Sequence, residues 1–150
     1  MTEEHPLQVR LTGVLVEDES ILIVEQRVSA ARRWSLPGGK LQRGETLQGG
    51  MVREMREETG LETEIVKLLY VCERPDTQPP LIHLSFLLRR TGGELRLPSN
   101  KLEQNPIHDV RMVPTCDLPH YGFTRAFTEI VQQGFPGAGG YVGPKESIGL

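Results

Sequence analysis

One segment of the sequence, from residue 39 to residue 61, constrains the fold more than any other part of the chain. Residues 46–59 show helical periodicity, with apolar side chains at Leu47, Met51, Val52 and Met55. Thr46 is a residue type that caps helix N-termini, and Gly60 is the type that ends helices in a left-handed conformation. We therefore predict a helix over 46–59, and the glycines and proline of 34–44 predict a loop before it.

Three glutamates, Glu54, Glu57 and Glu58, lie on one face of the predicted helix, because their spacing is i, i+3 and i+4. Their charges repel one another, and the helix macrodipole disfavours anions near the C-terminus. Arg53 and Arg56 are the basic residues close by. A solvated acidic face would explain the pattern, and so would a site for a hard divalent cation such as Mg²⁺. Spacing alone leaves both interpretations open.

Residues 27–39, upstream of the helix, offer further polar groups. Glycine permits close backbone approach at Gly38 and Gly39, so a free carbonyl there could be another oxygen ligand. Arg27, Arg32 and Arg33 form a local cluster of planar donors suited to phosphate. The alternative for these arginines is a solvated strand end.

Length and charge limit the classes of function. The 150 residues fit one domain, and a net charge of −3 offers no broad positive surface to nucleic acid. The longest aliphatic run, Ile21–Val24, is far shorter than the roughly 20 residues of a membrane span. The acidic N-terminus lacks a signal-peptide pattern, so we expect a cytoplasmic protein with no membrane partner. Cys72 and Cys116 are expected to be buried free thiols.

The remaining elements alternate between strands and helices. Hydrophobic patterns predict a hairpin of 7–16 with 20–28, further strands at 64–72, 81–90, 94–97 and 110–113, and a second helix at 121–133. Both faces of 81–90 are mostly apolar, which indicates a central strand. This order predicts an α/β or α+β fold with a mixed sheet over residues 1–134. The Gly- and Pro-rich tail 135–150 is expected to pack on the domain or on a partner subunit.

The acidic segment also resembles a known motif. It fits the Nudix box, G x5 E x7 R E U x E E x G U with U apolar, at Gly39, Glu45, Arg53, Glu54, Met55, Glu57, Glu58, Gly60 and Leu61. A chance match in a chain of this length has a probability on the order of 10⁻⁷. The chain therefore resembles the Nudix hydrolases, which include MutT-like and ADP-ribose pyrophosphatase-like enzymes. The resemblance implies an α-β-α sandwich with a central mixed sheet.

The resemblance also implies hydrolysis of a phosphoanhydride bond with Mg²⁺ or Mn²⁺ as cofactor. Carried over by position, Glu54, Glu57 and Glu58 would hold the metal, together with the carbonyl of Gly38 or Gly39. Arg53 would orient these glutamates, and Glu45 would support the loop or bind a metal through water.

The general base varies within the family, so its position here stays open. Glu54 and Glu103, the latter in the polar loop 98–106, are about equally favoured, and Glu94 less so. The paired glycines Gly49 and Gly50 depart from the usual helix formers at these positions, which indicates a frayed or closely packed helix.

The sequence says least about the substrate. An ADP-ribose-like nucleoside diphosphate derivative is favoured, partly by Pro75, which follows Gly60 at the spacing of the ADP-ribose-cleaving subgroup. A nucleoside triphosphate or dinucleoside polyphosphate is the alternative, and a non-catalytic nucleotide sensor is another. Candidate substrate contacts are Arg27, Arg32, Arg33, Trp34 and His83, although His83 could instead be a hydrogen-bonded core histidine. Relatives are often dimers, so a homodimer is compatible with the resemblance.

Overall fold

The strands of the described residues pair into one eight-stranded mixed sheet. A computed structural model describes residues 6–99 and 106–150, with the backbone alone for 140–144. The strands are β1 (Gln8–Glu17), β2 (Ser20–Glu25), β3 (Trp34–Ser35), β4 (Gly38–Lys40), β5 (Leu61–Arg74), β6 (Leu81–Gly93), β7 (Asp109–Pro114) and β8 (Gly140–Pro144). Their order is β3-β2-β1-β6-β5-β8, with β4 against β1 and β7 against β2. The predicted hairpin and the central position of β6 are both confirmed.

Two strand pairs are parallel, β1 with β6 and β5 with β8, and the other pairs are antiparallel. The helical elements are α1 (Leu47–Thr59), a 3₁₀ helix at Thr115–Tyr121, α2 (Arg125–Gln132) and a C-terminal 3₁₀ helix at Lys145–Ile148. In the described part of the chain, no helix has the length and apolar composition needed to cross a bilayer.

Helices α1 and α2 cover opposite faces of the sheet. Met51 and Met55 of α1 pack with Leu11 and Leu15 of β1 and with Phe86 and Leu88 of β6. Phe127 and Val131 of α2 pack with Val14 of β1, Ile23 of β2 and Cys72 of β5. Alternation along β1 explains the division, because successive side chains of a strand point to opposite faces. The predicted α-β-α sandwich with a central mixed sheet is confirmed.

Helix α1 has the ends that the sequence predicts. The Thr46 hydroxyl accepts the N–H of Gly49 at 2.9 Å, and Gly60 ends the helix in a left-handed conformation with φ 79°. Gly50 is closely packed, since a Cβ there would lie 2.8 Å from Leu41 Cδ1 and 2.9 Å from Leu11 Cδ1. The buried apolar stripe is shorter than predicted. Leu47, in the first turn of the helix, is 39% exposed, so the stripe begins only at Met51.

Several predicted boundaries are wrong. Residues 94–97 do not form a strand. The segment lies beside the C-terminal end of α1, where the N–H of Arg96 donates to the carbonyl of Thr59. The predicted helix 121–133 begins only at Arg125, since Gly122, with φ 86°, separates it from the preceding 3₁₀ helix. The predicted loop 34–44 contains the short strands β3 and β4. Cys72 is buried as predicted, but Cys116 is exposed.

The C-terminal segment packs against the domain. Strand β8 runs parallel to β5, with Tyr70 opposite Gly140 and Glu73 opposite Pro144. The Thr124 hydroxyl donates to the carbonyl of Gly149 at 2.8 Å, and Ile148 lies in the core around α2. The segment therefore continues the sheet and brings residues beyond Pro144 close to β5.

Candidate active site

Strand β4 and helix α1 meet at two glycines. Gly38 and Gly39 pair with Thr12 and Leu11 of β1. A Cβ at Gly39 would lie 2.5 Å from Glu54 Oε1 and 2.6 Å from Oε2. The missing side chain therefore leaves the space that the Glu54 carboxylate occupies. This close approach gives a physical reason for glycine at the first position of the motif.

Arg53 joins three carboxylates. Its guanidinium donates to both oxygens of Glu45, at 2.6 and 2.9 Å, and one nitrogen donates to Glu54 at 2.9 Å and to Glu57 at 3.2 Å. A further bond runs to the carbonyl of Lys40 at 3.1 Å. The Arg53 hydrogen bonds, with a bond from the N–H of Gln42, lower the pKa of Glu45 to about 2. Arg53 thus ties the loop before α1 to the acidic face of the helix.

Glu54 and Glu58 are carboxyls with perturbed acidity. Burial raises the pKa of Glu58 to about 8, although Glu58 Oε2 accepts the N–H of Gly38 at 2.9 Å. Burial also raises the pKa of Glu54, and the contact with Arg53 opposes this effect. The Glu57 side chain is 60% exposed. Added positive charge at this position would favour the ionised forms of Glu54 and Glu58.

The donor atoms on this face of α1 are all carboxylate or carbonyl oxygens, which are the ligands of Mg²⁺ and Mn²⁺. As they stand, Glu54 and Glu57 are turned towards Arg53, and Glu58 towards the N–H of Gly38. Accordingly, among residues 6–99 and 106–150, no three acidic, histidine or cysteine side chains form a ready ligand set. The residues present fit a divalent cation by the chemistry of their oxygen atoms.

Of the two other candidate bases, Glu94 and Glu103, the structure describes only Glu94. Glu103 lies outside the described residues. Glu94 is exposed and directly follows Gly93, the last residue of β6. Of the two described candidate bases, Glu54 is the one that is buried, against Gly39.

A cavity of about 250 Å³ adjoins the cluster of Glu54, Glu57 and Glu58, and Gly38 lies in the cavity wall. Three predicted substrate contacts, Arg27, Arg32 and His83, also line it. Arg33 does not, and instead pairs with Glu25 at 3.5 Å. Trp34 lies outside this lining too, edge-on to Tyr121 with a centroid distance of 5.1 Å.

Sequence reasoning missed three basic residues in the cavity wall, Arg10, Arg74 and Lys145. Arg10 had a signal, because it is the one charged residue in the predicted strand 7–16. Arg74 follows the predicted strand 64–72, and Lys145 lies in the tail, so local pattern gave no reason to choose either. Their proximity depends on how distant strands pair.

Comparison with known proteins identifies the family. The NUDIX domain model matches residues 7–147. The chain belongs to the NUDIX family. It is thus a Nudix hydrolase, an enzyme that acts on phosphoanhydride bonds.

Individual relatives agree with this Nudix assignment. An ADP-ribose pyrophosphatase of Methanocaldococcus jannaschii is 33% identical over 119 residues, which are 77% of this chain and 69% of the relative. The human 8-oxo-dGDP phosphatase NUDT18 is 40% identical over 80 residues, or 53% of this chain, and the match spans only 24% of that protein. The crystal structure of a NUDIX hydrolase from Nitrosomonas europaea has the same fold, with a TM-score of 0.66 at 21% identity over 95% of this chain and 81% of the other.

Proposed function

We propose that this Nudix hydrolase is a divalent-metal-dependent pyrophosphohydrolase that cleaves the diphosphate of a nucleoside diphosphate derivative. The carrying observation is the cluster of Glu54, Glu57 and Glu58 beside Gly38 and Gly39, with Arg53 linking the glutamates to Glu45. An ADP-ribose-like compound is the first candidate substrate, because the Methanocaldococcus jannaschii relative bears that activity in its name. The human relative's name supports a second candidate, an oxidised nucleoside phosphate.

Glu54, Glu57 and Glu58 would hold Mg²⁺ or Mn²⁺, with a carbonyl of Gly38 or Gly39. When bound, the cation would neutralise charge on the diphosphate and make the attacking water more acidic. Arg53 is a positioning residue, since its guanidinium orients Glu54 and Glu57 and fixes Glu45. The proton of the attacking water would pass to Glu54, or to Glu103.

A panel of substrates with mass identification of products tests this function. Wild-type protein with Mg²⁺ or Mn²⁺ is expected to convert ADP-ribose to AMP and ribose 5-phosphate, and 8-oxo-dGDP, dNTPs and dinucleoside polyphosphates complete the panel. Glu57→Gln and Glu58→Gln should each lower kcat by about two orders of magnitude or more, because the neutral amide lacks the negative charge with which a carboxylate binds a divalent cation.

Glu129→Gln is the matched control, since Glu129 is an exposed residue of α2 that pairs with Arg125. Its turnover should equal that of the wild type, and circular dichroism should show all three variants folded. Wild-type rates in Glu57→Gln and Glu58→Gln would refute the metal assignment. Full activity in a chelator would refute the metal requirement.

A further inference from the structure

The cavity beside Gly38 is unusually basic for a chain of net charge −3. Its lining includes six basic or imidazole side chains, namely Arg10, Arg27, Arg32, Arg74, His83 and Lys145. None of the described lining residues is acidic, and His83 has the one aromatic ring among them. The wall therefore offers charge and hydrogen-bond donors, but little surface on which a nucleobase could stack.

Strand register explains how these groups meet. Arg10 of β1 lies opposite His83 of β6, which lies opposite Cys72 of β5, which in turn lies opposite Gly143 of β8. Residues in such a row share one face of the sheet. Arg74 is two positions beyond Cys72 on β5 and thus on the same face, and Lys145, the first residue of the 3₁₀ helix after β8, lines the same cavity. The C-terminal segment therefore completes a cluster that begins on the first strand.

His83 indicates that the cavity is built for a ligand. The residue is 6% exposed, and within the described residues neither ring nitrogen has a hydrogen-bond partner. A buried ring N–H without an acceptor carries a free-energy cost, which a bound hydrogen-bond acceptor would remove. A ligand that both accepts from His83 and pairs with the surrounding cations meets this requirement.

The basic groups also act on one another. Burial and the charges of Lys145, Arg10 and Arg74 lower the pKa of His83 to about 3. Burial and the charges of Arg32, Arg10 and Arg74 lower the pKa of Lys145 to about 8. These cations therefore lie close enough to act on one another, and Arg74 also pairs with the Asp76 carboxylate at 3.9 Å. An anion in the cavity would relieve their repulsion.

We propose that this cavity is an anion subsite in which Arg10, Arg32, Arg74, His83 and Lys145 bind a phosphate group of the substrate other than the scissile diphosphate. The proposal rests on the proposed function and narrows its substrate class to diphosphate derivatives with a further phosphate. Arginine donors match phosphate oxygens in planar pairs, and a cavity of about 250 Å³ has room for a phosphorylated sugar. Lys145 is then a specificity-determining residue.

The subsite adjoins the site of chemistry. Gly38 lies in the cavity wall, while its N–H holds Glu58. Arg10 also lines the cavity, and its charge acts on the carboxyls of both Glu54 and Glu58. A diphosphate held at the glutamates could therefore extend its attached group into the cavity.

Binding of inorganic phosphate in EDTA tests the subsite independently of hydrolysis. Isothermal titration calorimetry at low salt should show that Lys145→Met and Arg74→Gln each weaken phosphate binding about tenfold, because each variant removes one charge-assisted contact. Lys67→Met is the matched control, since Lys67 is an exposed residue of β5 outside the cavity, and it should bind as the wild type does. Absence of phosphate binding, or equal binding by all four proteins, would overturn the subsite.

Paired substrates test its role in specificity. ADP-ribose is compared with its 2′-phosphate and 1″-phosphate derivatives in the presence of Mg²⁺. At least one derivative should have a KM about tenfold lower than ADP-ribose, and Lys145→Met but not Lys67→Met should abolish the difference. Equal KM values in the wild type would overturn the specificity role. If no panel compound is hydrolysed while Lys145-dependent phosphate binding persists, the subsite stands and the proposed function fails.

Discussion

At the scale of single residues, Arg53 shows how one side chain organises a site. Its guanidinium spans the loop before α1 and the acidic face of the helix, through Glu45 on one side and Glu54 and Glu57 on the other. A lysine could not reproduce this, because an ammonium lacks the planar fork that grips both oxygens of Glu45. The same contacts compete with a cation for Glu54 and Glu57. Arg53 can therefore hold these carboxylates in place before a metal binds.

His83 allows a residue-scale prediction about pH. Its pKa is about 3 in the folded protein and 6.5 as an ordinary histidine, because burial and the charges of Arg10, Arg74 and Lys145 oppose protonation. Between pH 6.5 and 3 the unfolded chain binds a proton that the folded protein does not. The free energy of unfolding should therefore fall as pH falls through this window.

Urea unfolding of the wild type and of His83→Gln measures this effect. Between about pH 7.5 and about pH 5, the wild type should lose about 1 to 2 kcal/mol more stability than the variant. Titrations shared by both proteins cancel in the difference. An identical pH dependence of the two unfolding free energies would show that His83 titrates normally.

At the scale of elements, α1 carries its acidic face near its C-terminal end, where the macrodipole is unfavourable to anions. Contacts at the two ends of α1 offset part of the resulting loss of helix stability. Thr46 caps the first turn, Gly60 closes the last, and Arg56 pairs with Glu62 beyond it at 2.6 Å. Met51 and Met55 hold the helix on the sheet. The local stability of the helix thus comes from its caps and its apolar side, which leaves the glutamates free for function.

We predict that Thr46→Ala lowers the free energy of unfolding by about 1 kcal/mol, because the N–H of Gly49 loses its acceptor. Thr46→Ser keeps a hydroxyl at that place and should stay within about 0.5 kcal/mol of the wild type. Chemical denaturation of both variants gives the comparison. If Ser and Ala destabilise equally, the hydroxyl does not act as the cap.

At the scale of the whole molecule, the C-terminal segment contributes one residue to the core and another to the wall of the basic cavity. Ile148 is 3% exposed and packs in the core around α2, and Lys145 precedes it in the same 3₁₀ helix. Ile148→Ala should lower the free energy of unfolding by about 2 to 5 kcal/mol, and Ile148→Val by about 0.5 to 1.5 kcal/mol. Denaturant unfolding measures both.

The same pair of variants tests the link to function. At a temperature where both are folded, Ile148→Ala should raise the KM for substrate, because a loosened helix no longer holds Lys145 in the cavity. Ile148→Val should keep the wild-type KM. A large loss of stability in Ile148→Ala without any change in KM would show that packing of Ile148 does not hold Lys145 in the cavity.

Much of the molecule could be predicted from local sequence. The helix 46–59, its two caps, the hairpin, the central strand and the mixed sheet are all confirmed. The error at 94–97 arises because this segment hydrogen-bonds to the end of α1. The error at 121–124 arises because a left-handed glycine, Gly122, separates these residues from α2. These contacts are tertiary or depend on backbone conformation, which hydrophobic periodicity does not report.

The sequence by itself determined the acidic face of α1 and the family, because helical spacing, caps and motif are properties of residues close together in the chain. Only the tertiary structure decided that Arg10, His83, Arg74 and Lys145 share one cavity. That neighbourhood depends on the parallel pairing of β1 with β6 and of β5 with β8. Parallel partners are joined by long connections, so no local pattern specifies their register; packing of the complete sheet does.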